Sequence, residues 1–262
     1  MKRLQYDVRK ISDNIHKEET EKVEIENMRP GELLSRLEQF PVAYFPLGTI
    51  EWHGRQNPLG CDTIKARELC KSVAQKIGGV VMPSVYYAAD KDFESQEGTG
   101  YGMDGISGMV LPGSFYQIDL ELLKKYLING CANCFNRGFE MVVLISGHNP
   151  PIQEEVMKEV SEYFKNKNKK VIYSMECNCV MDESNRMCDH AGGYETSMML
   201  HYNEELVNMK ANEGYEQELL GIGTSYPLET SSKEIGQKQA ILQIAGMSMW
   251  VIDEYKRRAN NG

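Results

Sequence analysis

The stretch Glu51-Trp52-His53, followed by Asp62, brings two carboxylates and an imidazole close together in the chain. Ser146-Gly147-His148 and the run from Asp189-His190 to Glu195 add two imidazoles and further carboxylates. The other two histidines, His16 and His201, stand apart. Glu51 and His53 are two residues apart, so in an extended segment their side chains project to the same side. Carboxylate and imidazole together form the donor set used for zinc, manganese or iron. A further carboxylate such as Asp62 can bridge two ions, and a pair of ions can bind a hydroxide at neutral pH and polarise a carbonyl. Each residue alone also has an ordinary role: Glu51 on the surface, His53 bonded to backbone, Asp62 as a helix N-cap. Their shared placement singles them out.

That placement follows from the elements between them. The apolar run 42–45 predicts a buried strand, and 62–76 a helix with Ala66, Leu69, Cys70, Val73 and Ala74 on one face. Gly78-Gly79 ends that helix, and 80–82 is a second short strand. The glycine-rich segment 88–113 reads as a loop. A helix over Leu120–Phe135, a strand over 141–145, an amphipathic helix over 152–164 and a strand over 171–173 follow. A polar loop, 176–193, leads to helices over 194–202 and 235–258. A short helix, 32–39, precedes them all. Alternation of this kind predicts an α/β fold with a mostly parallel sheet and helices on both faces. Ligands in such sheets bind beyond the carboxyl ends of the strands, where the residues named above fall.

Composition narrows the function classes. The net charge of −9 argues against nucleic acid as a partner, because binding phosphates needs a basic surface. No apolar run approaches the roughly 20 residues of a membrane helix. The polar N-terminal segment lacks the apolar core of a secretory signal, so a cytoplasmic protein is expected. Seven cysteines, an odd number, read as free thiols rather than a disulfide framework. Cys131 and Cys134 lie on an apolar helix and are expected in the core rather than on a structural zinc. The division expected is an N-terminal arm, 1–28, flexible or strapped across a neighbouring surface, and one catalytic domain, 29–262.

The segment Leu47-Gly48-Thr49-Ile50-Glu51-Trp52-His53-Gly54, with Pro58-Leu59-Gly60-Cys61-Asp62, resembles the first signature of the creatininase family. Leu111-Pro112-Gly113-Ser114, Ser146-Gly147-His148 and Asp189-His190-Ala191-Gly192 through Glu195-Thr196-Ser197 are similar to three later family segments, in the same order. The resemblance implies a three-layer α/β/α sandwich and a metal-dependent amidohydrolase. By that likeness Glu51 and His148 hold one divalent ion, His53 and Glu195 hold another, and Asp62 bridges them. Zinc, manganese or iron is the implied metal. A hydroxide activated by the two ions attacks a carbonyl carbon, and His190 passes a proton to the leaving group. The implied partner is a small molecule, and the implied assembly is a homo-oligomer, a hexamer.

The chain also departs from the family. Asn149-Pro150-Pro151 replaces the usual turn after the strand-end histidine, Arg55-Gln56 follows the first signature, and only Trp52 and Trp250 are tryptophan. Creatinine is therefore not the expected substrate. A small cyclic amide or a formamide C–N bond is expected instead. The alternatives are ring opening of an oxidised inositol, for which Arg55, Gln56 and the polar segment 90–97 are suited, and a non-catalytic family member. The last would lose a ligand, yet all five matched positions are intact.

Overall fold

The computed structural model describes residues 15–95, 98–115, 117–215, 218, 220–223 and 226–259. The described strands are Val42–Leu47 (β1), Val80–Val81 (β2), Asp92–Ser95 (β3), Gly98–Tyr101 (β4), Met141–Ser146 (β5) and Lys170–Met175 (β6). The described α-helices are Pro30–Gln39 (α1), Cys61–Ile77 (α2), Met103–Ser107 (α3), Leu120–Phe135 (α4), Pro151–Lys165 (α5), Gly193–Asn203 (α6) and Lys233–Ala259 (α7). Four strands form a parallel sheet in the order β2-β1-β5-β6.

The layers follow from strand alternation. Val42 and Tyr44 of β1, with Met141, Val143 and Ile145 of β5, turn to the face covered by α2 and α7. Ala66, Leu69, Val73, Met247 and Val251 pack there. Ala43, Phe45, Leu47, Val142 and Leu144 turn to the opposite face, under Leu123 and Leu127 of α4 and Val156 and Val160 of α5. Every residue of β1 and β5 is buried, which is why both read as unbroken apolar runs. Burying one leucine-sized side chain contributes roughly 1.5–3 kcal/mol, so these two faces carry most of the fold's stability. The molecule is thus an α/β sandwich of three layers, as expected. No helix among the described residues is long and apolar enough to cross a membrane.

Two local readings are corrected, and part of the arm is placed. The segment 88–113 is not all loop: β3 and β4 form an antiparallel hairpin, and α3 follows. Only Phe93 in Asp92-Phe93-Glu94-Ser95 is apolar, so this small ribbon, outside the main sheet, gives no strand signal in the sequence. Asp62 does not cap α2; Gly60 holds that position and Asp62 lies in the first turn. A negative charge there suits the helix dipole and leaves its side chain available. The described part of the arm, residues 15–28, lies on its own chain: the Val81 N–H donates to the Val23 carbonyl at 2.7 Å, and Val23 is buried. Residues 1–14 lie outside the described residues. Cys131 and Cys134 are buried in the apolar layer between α4 and the sheet.

Two glycines set the distance between the sheet and α2. A Cβ on Gly48, just after β1, would lie 2.4 Å from the Thr63 nitrogen. A Cβ on Gly147, just after β5, would lie 2.1 Å from the Asp62 carbonyl oxygen. Only glycine lets both strand ends abut the first turn of α2. The two strands and the helix therefore deliver their side chains to one place.

Candidate metal centre

Asp62 stands between the two strand ends with one carboxylate oxygen toward each. Its Oδ1 is 3.1 Å from His53 Nε2, and its Oδ2 is 3.1 Å from His148 Nδ1. Glu51 Oε2 lies 3.3 Å from His148 Nδ1, and Glu195 Oε2 lies 3.6 Å from His53 Nε2. The structure thus brings all five expected donors together, in two groups that share Asp62. All five are buried.

Backbone and neighbouring side chains fix the rings. His53 Nδ1 donates to the Glu51 carbonyl at 3.0 Å, which turns Nε2 toward Asp62 and Glu195. His148 Nε2 lies 3.2 Å from Asp90 Oδ2, an ion-pair distance without hydrogen-bond alignment. Imidazoles that bind metals are commonly oriented in this way, by a carbonyl or carboxylate at the other nitrogen. Glu195 stands in the first turn of α6, where Asp189 accepts from the Tyr194 and Glu195 N–H groups at 3.0 and 3.1 Å. The Ala191 N–H donates to Glu195 Oε2 at 2.7 Å.

A second layer of charge lies behind these donors. The Lys65 ammonium, fully buried, pairs with Glu195 Oε1 and meets Glu176 Oε1 at 3.1 Å and Asp62 Oδ1 at 3.5 Å. Glu176 in turn accepts from Tyr194 Oη at 2.8 Å and Gln243 Nε2 at 2.8 Å. Sequence reasoning did not single out Lys65, Glu176 or Asp90 as part of the centre. Signals for the first two were present. Lys65 follows Asp62 by three residues on a helix, hence on one face, and Glu176 comes directly after β6, where the sheet rule points.

The charges balance internally. Burial alone would raise the Glu51 carboxyl, but His148, then His190 and His53, pull it down to about 2. Burial would lower His53, yet Asp62 and Glu195 push it up to about 9. Burial acts against the charged form of Asp62, and His53 and His148 hold it well below the usual carboxylate range. Against its own burial, His148 is held well above the ordinary imidazole value by Glu51 and Asp62. Protonated imidazoles thus neutralise a carboxylate-rich cluster. Divalent ions suit the same donors, because binding them releases those protons and keeps the charges paired. The donor atoms of Glu51, Asp90 and His148 lie within 4.8 Å of one another, as do those of His53, Cys61 and Glu195, and those of Glu51, His53 and His190. The residues present therefore fit a metal centre.

His190 joins the other wall. Its ring stacks at a tilt on His53, with centroids 4.4 Å apart, and its Nε2 donates to the Trp52 carbonyl at 2.8 Å. Backbone hydrogen bonds between His190 and Gly223, at 2.7 and 2.9 Å, hold the segment. The cleft beside these groups has a volume of about 390 Å³ and is also lined by Asp90, Lys91, Met103, Asn149 and Pro150.

The departures noted in the sequence acquire definite roles. Pro151 opens α5 with Pro150 as its extended N-cap, and the fixed φ and missing N–H of proline fit the first helical position. Arg55 does not line the cleft: its guanidinium stacks on Tyr215 at 4.2 Å and donates to the Glu218 carbonyl at 2.9 Å. Gln56 is buried and donates to the Ala191 carbonyl at 2.7 Å. Neither is placed to bind a polyol, contrary to expectation.

Comparison with known proteins bears on this site. A profile of the creatininase family, described as creatinine amidohydrolase, matches residues 26–239. Creatinine amidohydrolase of Pseudomonas putida is 29% identical over 108 residues, covering 41% of this chain and 37% of that protein. A 3-dehydro-scyllo-inosose hydrolase of Thermotoga maritima is 29% identical over 126 residues, covering 48% of this chain and 36% of that protein. The chain therefore spans little more than a third of the length of the curated relatives it matches. Among solved structures, a creatininase crystal structure superimposes with a TM-score of 0.69 at 19% identity, covering 90% of this chain and 98% of that one. Creatininase structures described as a manganese form and as a Zn–Zn form have the same TM-score at 21% identity, each covering at least 88% of this chain and 98% of that one.

Proposed function

The chain belongs to the creatininase family of hydrolases, and on that premise we propose that it hydrolyses a small molecule at two divalent ions. Glu51 and His148 would hold one ion, His53 and Glu195 the other, with Asp62 between them. The observation that carries this reading is the split of Asp62, whose two oxygens each face a different imidazole. Zinc, manganese or iron suits these donors. When bound, such ions lower the pKa of water and polarise a carbonyl oxygen.

The chain's own groups do the rest. In the neutral His190 ring, the proton on Nε2 is held by the Trp52 carbonyl, so Nδ1 is the basic nitrogen. His190 Nδ1 accepts a proton as water attacks and returns it to the departing group, as general acid–base residues do. Buried Glu51 and Asp62 stay ionised throughout, and Asp90 keeps the His148 ring in place. The bond we assign is the C–N bond of a small cyclic amide or formamide. A second reading, ring opening of an inosose-type ketone, is favoured by Asp90, Lys91 and Asn149 on the cleft wall, which suit sugar-like hydroxyls. It also agrees with the Thermotoga maritima relative. We further take the chain to act in the cytoplasm as a homo-oligomer, a hexamer; exposed Tyr87, Phe115, Leu122 and Tyr126 support an interface.

The deciding experiment is a metal analysis of the purified chain, followed by a screen of cyclic amides and formamides against inosose-type ketones. Turnover of an amide that depends on bound metal supports the first reading. Turnover confined to the ketones replaces it with the second. A chain that binds no divalent ion overturns both.

A further inference from the structure

Lys65 touches only one half of the centre. It follows Asp62 by three residues on α2, and its side chain is 1% exposed. Besides Glu176 Oε1 at 3.1 Å and the Gly147 carbonyl at 3.5 Å, the donor oxygens it meets are those of the His53 side. Asp62 Oδ1, 3.5 Å from Lys65 Nζ, is the oxygen that faces His53 Nε2. Glu195 gives its Oε1 to Lys65, while its Oε2 already accepts the Ala191 N–H. Both carboxylates of that half therefore share their charge and lone pairs with donors the fold supplies.

The His148 half also lends carboxylate oxygens to backbone N–H groups, Glu51 Oε1 to Met103 at 3.3 Å and Asp90 Oδ1 to Lys91 at 2.7 Å, but it differs in charge. Asp62 Oδ2 and Glu51 Oε2 face His148 Nδ1 at 3.1 and 3.3 Å, and Asp90 Oδ2 faces Nε2 at 3.2 Å. Among the described residues no lysine or arginine pairs with Glu51 or Asp90. One half thus offers carboxylates without a competing cation, and the other carries a fixed ammonium. A fixed positive charge repels a divalent ion most strongly where water is excluded.

We infer that Lys65 makes the two metal positions unequal, so that the Glu51–Asp62–His148 half binds its ion more tightly than the His53–Glu195 half. This rests on the reading above that these residues hold two ions. Lys65 is then a positioning residue: it sets the order in which the centre fills and keeps Glu195 aimed at it.

The test is calorimetric titration of Zn²⁺ into the chelator-stripped full chain, with bound metal counted by elemental analysis. The wild type should take up one ion per chain first, and a second with a Kd at least about tenfold higher. His148→Ala should remove the tight step and His53→Ala the weak one. Lys65→Met, of similar length but uncharged, should tighten the second step until the two Kd values differ by less than about threefold. If circular dichroism shows that Lys65→Met is unfolded, Lys65→Met with Glu176→Gln replaces it, since that pair removes one of the carboxylates set free. The two histidine variants decide the order of filling whether or not a lysine variant folds. A single ion, lost in His148→Ala and kept in His53→Ala, is the extreme form of the same asymmetry. Two equal steps in the wild type overturn the inference, as does loss of the tight step in His53→Ala. A gap left unchanged by a folded lysine variant removes Lys65 as its cause. A wild type that binds no ion overturns instead the assignment of these residues as a metal centre.

Discussion

The two walls of the cleft are held by different means. On one side Glu51, Asp62 and His148 stand on strand ends and a helix start that meet through Gly48 and Gly147, backbone against backbone. On the other, the loop carrying His190 is tied down by a few longer contacts. These include His190 to the Trp52 carbonyl, Gln56 to the Ala191 carbonyl, and Trp52 Nε1 to the Leu220 carbonyl at 2.9 Å. The first wall has little room to adjust where Asp62 and His148 meet, because the ends of a parallel sheet abut a buried helix there. The second joins segments far apart in sequence through single side chains and one backbone pair, His190 with Gly223. Damage to the first should be all-or-none, and damage to the second graded.

The sharpest break is Asp62→Ala. It removes both oxygens that face the imidazoles, so activity should vanish and metal affinity should fall by more than about 100-fold, beyond what loss of an outer orienting group costs. Elemental analysis after dialysis checks it, with His201→Ala as a variant that leaves both unchanged. A Asp62→Ala chain that keeps its ions would show that the first wall is not the metal-holding one. Next comes Gly147→Ala, which adds one methyl 2.1 Å from the Asp62 carbonyl oxygen. The backbone must shift, at a cost of roughly 1–3 kcal/mol in stability. Thermal melting should show the loss, and titration should show weaker metal binding, although no donor has been changed.

His190→Asn probes the second wall. It should keep its metals by elemental analysis while turnover falls by roughly 10²–10⁴-fold, the span of a general acid–base group. Metal lost together with activity would make His190 a ligand and erase the distinction between the walls.

A pH series on the metal-free chain sharpens the same contrast. The folded His53 value is about 9, against 6.5 for a free imidazole. Its contribution to stability is therefore fully present below about pH 6.5 and lost as pH rises through about 9. The melting temperature of the stripped protein should fall over that window, and His53→Gln should flatten the fall. A profile unchanged in His53→Gln would mean that the fold does not depend on this buried charge.

The difference between the walls also explains what the sequence could convey. Helix α4 was legible to the residue, because Leu123, Leu127 and Cys131 repeat at helical spacing. The strand-end donors were legible because a parallel sheet puts its ligand site at one edge, so position alone singles out Glu51 and His148. The hairpin β3–β4 was not, since a polar two-stranded ribbon buries too little to leave an apolar pattern. Arg55 and Gln56 were misread for a related reason. A polar residue next to a ligand motif looks like a substrate group, and only the fold shows that Tyr215, Glu218 and Ala191 lie across from them. Such contacts span more than 130 residues and have no local signature. Lys65 has one, its helical spacing from Asp62, but a lysine on a helix ordinarily reads as solvated surface.

Arg55→Lys should give the smallest effect, and it tests the second wall most finely. Arg55 is a partly exposed side chain whose planar guanidinium does two things at once: it stacks on Tyr215 and donates to the Glu218 carbonyl. Lysine keeps the charge but loses the flat face and the fork, so the substitution separates geometry from charge. An exposed cation–π contact contributes about 0.5–1 kcal/mol. The loss of stability should be of that size, seen as a small drop in melting temperature. Turnover should fall by less than about tenfold, because a factor of ten corresponds to about 1.4 kcal/mol, more than the contact contributes. Metal content should not change, since Arg55 touches none of the donors. A strong rise in KM with kcat unchanged would give a different answer: Arg55 would then bind substrate directly, swinging away from Tyr215 to do so. In that case the second wall is not merely braced but moves, and the contrast between a rigid wall and an adjustable one becomes part of the catalytic cycle.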